Sequence, residues 1–436
     1  MLFSITWYET AGLAVLILLL DVFSEPAART IDPAFRALPV DAEYRKPALL
    51  SHLPATRSRW ESIVPYPAAI FALALIFRHH LDVVAAAWAL LAVGDGAAGA
   101  AGEALGSHPL PFNLQKTWEG FAAFIVFGCP AAFTLFLWTA PSEPHLKTFG
   151  VCLFAAVAGA FAESLPIRLD DNITVPLLTA GFIFCASLMT RAALGWHLPY
   201  LGVRIALAVG INAAFALVAW GLSQVTVSGA IAGFLLGVAV YMGFGYKSFL
   251  ILLGFFVMGA TATRLGYSRK VQRGVAENRR GARSWREATA NVLAAAFFAI
   301  LAITTPYQAA FLTALVAALA EAAGDTVASE IGKWVSMQAY LVTTLKAVPA
   351  GEDGGISVAG TAAGFAASAL LVATAYGLGL SKGWGVLAAL LAAFAGNLAD
   401  SFVGATLERS GLMTNAAVNF VGTSLAGALV LAWALH

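Results

Sequence analysis

Apolar runs of roughly bilayer-spanning length recur along the whole chain, and the charged residues collect in the connections between them. They predict spans at 11–24, 63–78, 82–98, 119–140, 149–165, 174–191, 200–221, 228–243, 247–264, 289–305, 308–325, 356–378, 384–402 and 415–435. Short alternating strands are missing, and a segment in lipid must satisfy its own backbone hydrogen bonds, so the runs read as helices rather than barrel strands. The expected fold is all-α, a polytopic membrane bundle of about fourteen spans. The run at 11–24 lacks a basic flank before it and a small-residue cleavage site after it, so it reads as a first span and not a signal peptide. Several runs are rich in small residues, as in AAVAGAFAE at 155–163, which lets helices approach closely.

Composition strengthens this reading. Of 436 residues, 60% are hydrophobic and 11% charged, with a mean hydropathy of +0.81, whereas soluble domains carry about 25% charged residues. Cys129, Cys152 and Cys185 stand singly in apolar runs and read as small core residues. The net charge of +1 carries no partner information, and no nucleic-acid partner is expected. Its distribution does more. Arg29, Arg36, Arg45, Lys46, Arg57 and Arg59 fall in one connection, and Arg269, Lys270, Arg273, Arg279, Arg280, Arg283 and Arg286 in another. TPYQ at 305–308 and ALGWHLPY at 193–200, taken as opposite connections, carry no Lys or Arg. Basic loops stay inside, which predicts a multi-pass protein (of the cytoplasmic membrane in a prokaryote) with its polar motifs on the cytoplasmic face.

The chain also repeats itself weakly. GDGAAGAAG from Gly94 and GDTVASEIG from Gly324 match at Gly94/Gly324, Asp95/Asp325, Ala98/Ala328 and Gly102/Gly332. Lys116 follows Asp95 by 21 residues, as Lys346 follows Asp325. AES at 162–164 echoes ADS at 399–401, and Asn172 and Asn415 follow. Equal orientation makes this a parallel duplication.

These segments hold the candidate chemistry. Gly94 and Asp95 are expected to end a span and enter a glycine-rich turn whose amides can meet anionic oxygens. Asp95 suits a Mg²⁺ that bridges phosphates, and Lys116 suits neutralisation of phosphate charge. The alternative is that the glycines serve helix packing and the charges are interfacial. ESLPIRLDDNITVPL at 163–177 gathers Glu163, Asp170, Asp171 and Asn172 in one short loop, where they can share metal binding and deprotonation or simply cap the next helix. No G-x-x-x-x-G-K-[ST] sequence occurs.

GDGAAGAAGEALG, LQKTWEG at 114–120 and ESLPIRLDDNITVPL together resemble the phytol kinase and dolichol kinase family of CTP-dependent polyprenol kinases. That resemblance covers about residues 1–195 and falls on Gly94, Asp95, Gly102, Lys116, Gly120, Glu163, Asp171 and Asn172. RKPALLSH at 45–52 departs from it in spacing. VSGAIAGFLLGVAVYMGFGYKSFLILLGFFVMGATATRLGY at 227–267, ENRRGARSWREATANVLA, GDTVASEIG, YLVTTLKAVPAGEDGGISVAGTAAG, GNLADSFVGATLE and TNAAVNFVGT are similar to a second membrane family, one that includes plant phytyl-phosphate kinase. Those matches span most of 200–436.

The resemblances imply a prenol kinase domain at 1–195 and a prenyl-phosphate kinase domain at 200–436. Their substrates would be an isoprenoid alcohol and its monophosphate, with CTP as donor and Mg²⁺ as cofactor. They imply catalytic roles for Glu163, Asp171, Lys116, Lys346 and Asp400, and metal binding by Asp95 and Asp325. Nucleotide or phosphate contacts would fall to Gly94, Gly102, Gly120, Asn172, Arg279, Arg280, Gly324, Glu330, Gly354 and Asn415. A lipid or metabolite carrier and a CDP-lipid-forming cytidylyltransferase are the alternatives.

Overall fold

The computed structural model describes residues 65–111, 113–164, 170–277 and 281–435. The expected span at 11–24 and the candidates Arg279 and Arg280 lie outside these residues. Contacts divide the chain into two units, Met1–Ser187 and Leu188–His436.

The first unit contains α1 (Pro65–Ile76), α2 (Leu81–Leu105), α3 (Trp118–Thr139), α4 (His145–Ser164) and α5 (Asp171–Ser187). A small hairpin, β1 (Pro109–Leu110) with β2 (Asn113–Thr117), joins α2 to α3. Within α2 the residues Leu90–Asp95 form a π-helical turn, a local widening often found where a helix carries function. Thr117 starts α3 by accepting a hydrogen bond from the Gly120 amide.

In lipid, helices gain little by hiding apolar surface and associate chiefly through close packing. Phe124 supplies it here. Its ring is fully buried, and a Cβ placed on Gly94 or Gly159 would lie 3.0 or 2.9 Å from it. The two glycines therefore form a socket that draws α2 and α4 onto α3. All three cysteines are buried, as their apolar neighbours predict.

The second unit comprises α6 (Arg191–Gly221), α7 (Val227–Phe244), α8 (Tyr246–Arg264), α9 (Tyr267–Gln272), α10 (Trp285–Thr304), α11 (Gln308–Val335), α12 (Val358–Gly377), α13 (Trp384–Glu408) and α14 (Asn415–Ala434). β3 (Gln338–Leu341) is the middle strand of a small antiparallel sheet, flanked by β4 (Ala347–Pro349) and β5 (Gly355–Ile356). The Ala-rich α11 is buried almost all round and packs against α8, α10, α12, α13 and α14. Its first half, apolar on every face from Ala309 to Ala320, belongs in the middle of a bundle.

Eleven helices among the described residues are long and apolar enough to cross a membrane. The expected fold class holds, as a polytopic helical membrane protein. The expected span count needs adjustment, because α1 with 12 residues and α5 with 17 fall short of that length.

Helix ends differ as well. The supposed connection at 193–200 lies inside α6, which continues through Pro199. Proline usually breaks a helix in water but is tolerated in membrane helices. Asp95 and Asp325 are internal to α2 and α11: GAAGAAGEAL and TVASEIGKWV hold no proline, and a segment at the membrane keeps its backbone hydrogen bonds by staying helical. With 28 residues α11 is about 42 Å long at 1.5 Å per residue, so its last turns can extend beyond a ~30 Å apolar slab.

Backbone contact at glycine gives a measurable expectation. A Cβ at Gly364 would lie 2.6 Å from the Gly324 carbonyl oxygen and 2.8 Å from Ala328 Cβ, whereas one at Gly233 would meet nothing within 4 Å. Gly364→Ala is expected to destabilise the protein by about 1–3 kcal/mol through overpacking, and Gly233→Ala to cause no loss. Thermal unfolding in detergent compares the two.

Candidate functional site

In the first unit, three helices deliver the acidic residues to one place and the hairpin adds Lys116. Asp95 follows socket residue Gly94, and Glu163 stands one turn beyond Gly159, so the packing of Phe124 carries both carboxylates with it. Asp171 opens α5. One oxygen each of Asp95, Glu163 and Asp171 lies within 4.8 Å of the others. Lys116, on β2, donates to Glu163 and stands 3.9 Å from Asp171 Oδ2. Glu163 is buried while Asp95, Lys116 and Asp171 are half-buried, so the group faces outward from a protected base. Asn172 Nδ2 donates to Asp170 Oδ1 at 2.8 Å, and the Asn172 amide donates to Asp170 and Asp171 oxygens.

Three carboxylates at this spacing fit a hard, oxygen-ligated divalent cation, while Lys116 holds the cluster's charge from within. The phosphate-binding turn expected after Gly94 does not form. Gly94 meets the Phe124 ring, and a Cβ on Gly120 would lie 2.9 Å from the Ala98 carbonyl oxygen. Gly102 faces Thr117. Their lack of a side chain serves helix contact, and amides inside a helix are already committed to its hydrogen bonds. Glu119 also stands apart from the acidic cluster, 2.6 Å from His108 Nδ1 and accepting from Ser107.

The second unit encloses a cavity of about 740 Å³. Asp325 of α11, Asp400 and Glu408 of α13 and Asp353 of the β4–β5 connection line it, with Asn291, Asn397, Asn415 and Asn419. Glu408 ends a second π-helical turn, Gly404–Glu408. Asp400 is buried, and its Oδ2 has no hydrogen-bond partner among the described residues. Gly354, at φ 70°, brings its backbone against Ala405 in that turn, which a side chain would obstruct.

Charges around the cavity are arranged unequally. Lys270, placed by its sequence in a basic surface loop, is fully buried; it donates to Glu330 and to the carbonyls of Ala262 and Thr263. Glu330 lines the cavity but is held by Lys270 and by Lys333, whose Nζ is 3.6 Å from Glu330 Oε1. Arg283 reaches the cavity with its guanidinium 5.1 Å from the centre of the Phe255 ring. Burial lowers the Arg283 pKa, while Glu330, Glu277 and Glu287 act in the opposite sense.

Of the second-unit candidates, Asp325, Glu330, Gly354, Asp400 and Asn415 share this cavity. Gly324 instead lets Ser368 and Asn397 close against α11. Lys346 is exposed in the turn between β3 and β4 and does not line the cavity. A two-stranded turn can point its tip away from the site that its flanks border, which equal spacing from an Asp does not reveal.

Several residues escaped the sequence reading. Lys333 and Glu408 line the cavity, as does Arg283, which the sequence reading named only within its basic connection. Glu321, one turn before Asp325, is buried with an unpartnered Oε1, and its side chain occupies the space left by Gly396 and Gly422. The helical spacing Glu321–Asp325–Ser329–Lys333 was available as a signal.

The family model described as integral membrane protein DUF92 matches residues 210–427. The chain belongs to this DUF92 family of integral membrane proteins. An uncharacterized membrane protein of Synechocystis, sll0875, is 38% identical over 200 residues, 45% of this chain and 77% of the relative. Protein VTE6, chloroplastic, of Arabidopsis thaliana is 35% identical over 205 residues, which cover 45% of this chain and 62% of VTE6. Phytol kinase 1, chloroplastic, of Arabidopsis thaliana is 30% identical over 120 residues, 26% of this chain and 40% of the kinase. No solved structure matches the chain.

Removing one member of a buried ion pair leaves the other charge uncompensated. Lys270→Met is therefore expected to cost about 3–5 kcal/mol, while Arg269→Met, at an exposed neighbour, stays within about 0.5 kcal/mol. Unfolding of the detergent-solubilised protein measures both.

Proposed function

We propose that this DUF92-family protein is a membrane kinase of isoprenoid alcohols. Its first unit makes the monophosphate from CTP, and its second adds another phosphoryl group to give the diphosphate. The observation that carries the reading is the convergence of Asp95, Lys116, Glu163 and Asp171, spread over 76 residues of chain, into one cluster. The similarity to phytol kinase 1 supports the same class of chemistry. Active sites at the cytoplasmic surface are part of the proposal, supported by the basic residues Arg283 and Arg286 in the cavity lining.

In the first step the prenol oxygen forms a bond to the γ-phosphorus of CTP as the bond from that phosphorus to the β-bridging oxygen breaks, releasing CDP. A hydroxyl is a weak nucleophile near neutral pH and benefits from a positioned base. The Glu163–Asp171 pair takes the proton, and Lys116, released from Glu163, offsets charge on the transferring group. Asp95 in the first unit and Asp325 in the second would hold Mg²⁺, which when bound offsets the charge of the phosphate oxygens. The second step starts from a monophosphate, already an anionic nucleophile, so its difficulty is repulsion from the donor. No strong base is needed there.

One observation favours a different reading. Glu321 is buried inside α11 with an unpartnered oxygen, and carriers place ionisable groups within the membrane. Cysteine substitutions at Asp95, Glu163, Asp325 and Asp400 separate the two. A kinase is labelled from one side of the membrane, a carrier from both.

Purified full-length protein, γ-labelled CTP and a panel of prenols and prenyl monophosphates test the kinase reading. Asp95→Ala is expected to abolish monophosphate formation, and Asp325→Ala to let monophosphate accumulate. Diphosphate yield unchanged by Asp325→Ala would refute the division of labour. A product heavier by CMP would identify a cytidylyltransferase.

A further inference from the structure

We propose that Lys333, and not Lys346, is the lysine that meets phosphate oxygens in the second unit, and that Glu277 is the counter-ion it releases on binding. This rests on the phosphoryl-transfer reading above and assigns a residue within it.

Sequence spacing favours Lys346, yet that side chain is exposed beyond the cavity lining. Lys333 is the one lysine lining the cavity among the described residues. It stands two turns beyond Asp325 on α11, with Ser329 between them, and residues four apart share a helix face. All three line the cavity. The helix therefore presents a carboxylate, a hydroxyl and an ammonium along one stripe to the same ligand space.

The state of Lys333 suits an exchange. Its side chain is 16% exposed, and its Nζ lies 3.0 Å from Glu277 Oε1 and 3.6 Å from Glu330 Oε1. Glu330 already has the buried Lys270 as partner, so it does not depend on Lys333 for compensation. Glu277, by contrast, is 49% exposed. Ion pairs with such an exposed member are weak, and Glu277 can turn to water without stranding a buried charge. A phosphate oxygen in its place keeps Lys333 paired, so neither the bound nor the free state leaves an unpaired ammonium beneath the surface. The ligand class is a phosphate or diphosphate group, whether of the nucleotide or of the lipid monophosphate.

The test uses the full-length protein in detergent with Mg²⁺ present. Calorimetric titration with inorganic pyrophosphate compares wild type, K333M, K333R, E277Q and K346A. K333M should weaken binding by about tenfold or more, and K333R should recover most of it. E277Q should tighten binding about two- to fivefold by removing the competing carboxylate, a gain that a merely structural role for the pair would not produce. K346A should match wild type. In steady-state assays, a raised KM for CTP in K333M assigns the nucleotide as the phosphate source, and a raised KM for prenyl monophosphate assigns the lipid. The proposal is overturned if wild type does not bind pyrophosphate, if K333M binds it like wild type, if E277Q does not tighten it, or if K346A is the variant that loses it. It is likewise overturned if K333M moves neither KM. Pyrophosphate binding that depends on Lys333 in a protein that forms no prenyl diphosphate would instead refute the kinase reading and leave Lys333 an anion-binding residue.

Discussion

Close packing at glycine is the constraint on which the rest depends. In the first unit the Phe124 ring fits where Gly94 and Gly159 have no side chain, and each glycine is followed, at once or one helical turn later, by a carboxylate. The second unit shows the same local arrangement. Gly324 admits Ser368 and Asn397 beside Asp325, and Gly396, one turn before Asp400, closes against Glu321 and the Gly422 backbone. Lipid offers apolar helices no reason to leave it, so contact of this kind holds them together. The same contact brings acids from separate helices within reach of one another.

Gathering acids in a membrane protein has an electrostatic cost, which the two units meet in different ways. The first sets Lys116 among Asp95, Glu163 and Asp171. The second commits its buried lysine, Lys270, to Glu330 and leaves Asp400 with an unpartnered oxygen beside the cavity. A polar atom buried without a partner is costly. A ligand that brings positive charge to Asp400 relieves that imbalance without rebuilding the helices.

The bundle could be read from the sequence because hydrophobic runs respond directly to the solvent they meet. Every expected span within the described residues has a helix at its position. The errors came at helix ends. The connection expected at 193–200 lies inside α6, the Ala- and Gly-rich stretch after Asp95 continues as helix where a turn had been expected, and α11 runs ten residues past the expected span end at Asp325. Gly94 and Gly324 were conspicuous in the sequence, but a glycine's pattern does not distinguish a turn that binds anions from a surface that receives a neighbour.

The sequence by itself determined that this chain lies in the membrane as a helical bundle, and it singled out the carboxylates, because solvent preference and residue chemistry are local properties. Only tertiary structure decided which cation accompanies which acid. Lys116 and Lys346 stand at the same distance in sequence from their aspartates, yet one enters the acidic cluster and the other is exposed on a hairpin. The partner of a charge is set by where helices from distant parts of the chain come to rest, and that depends on packing among side chains that linear spacing does not contain.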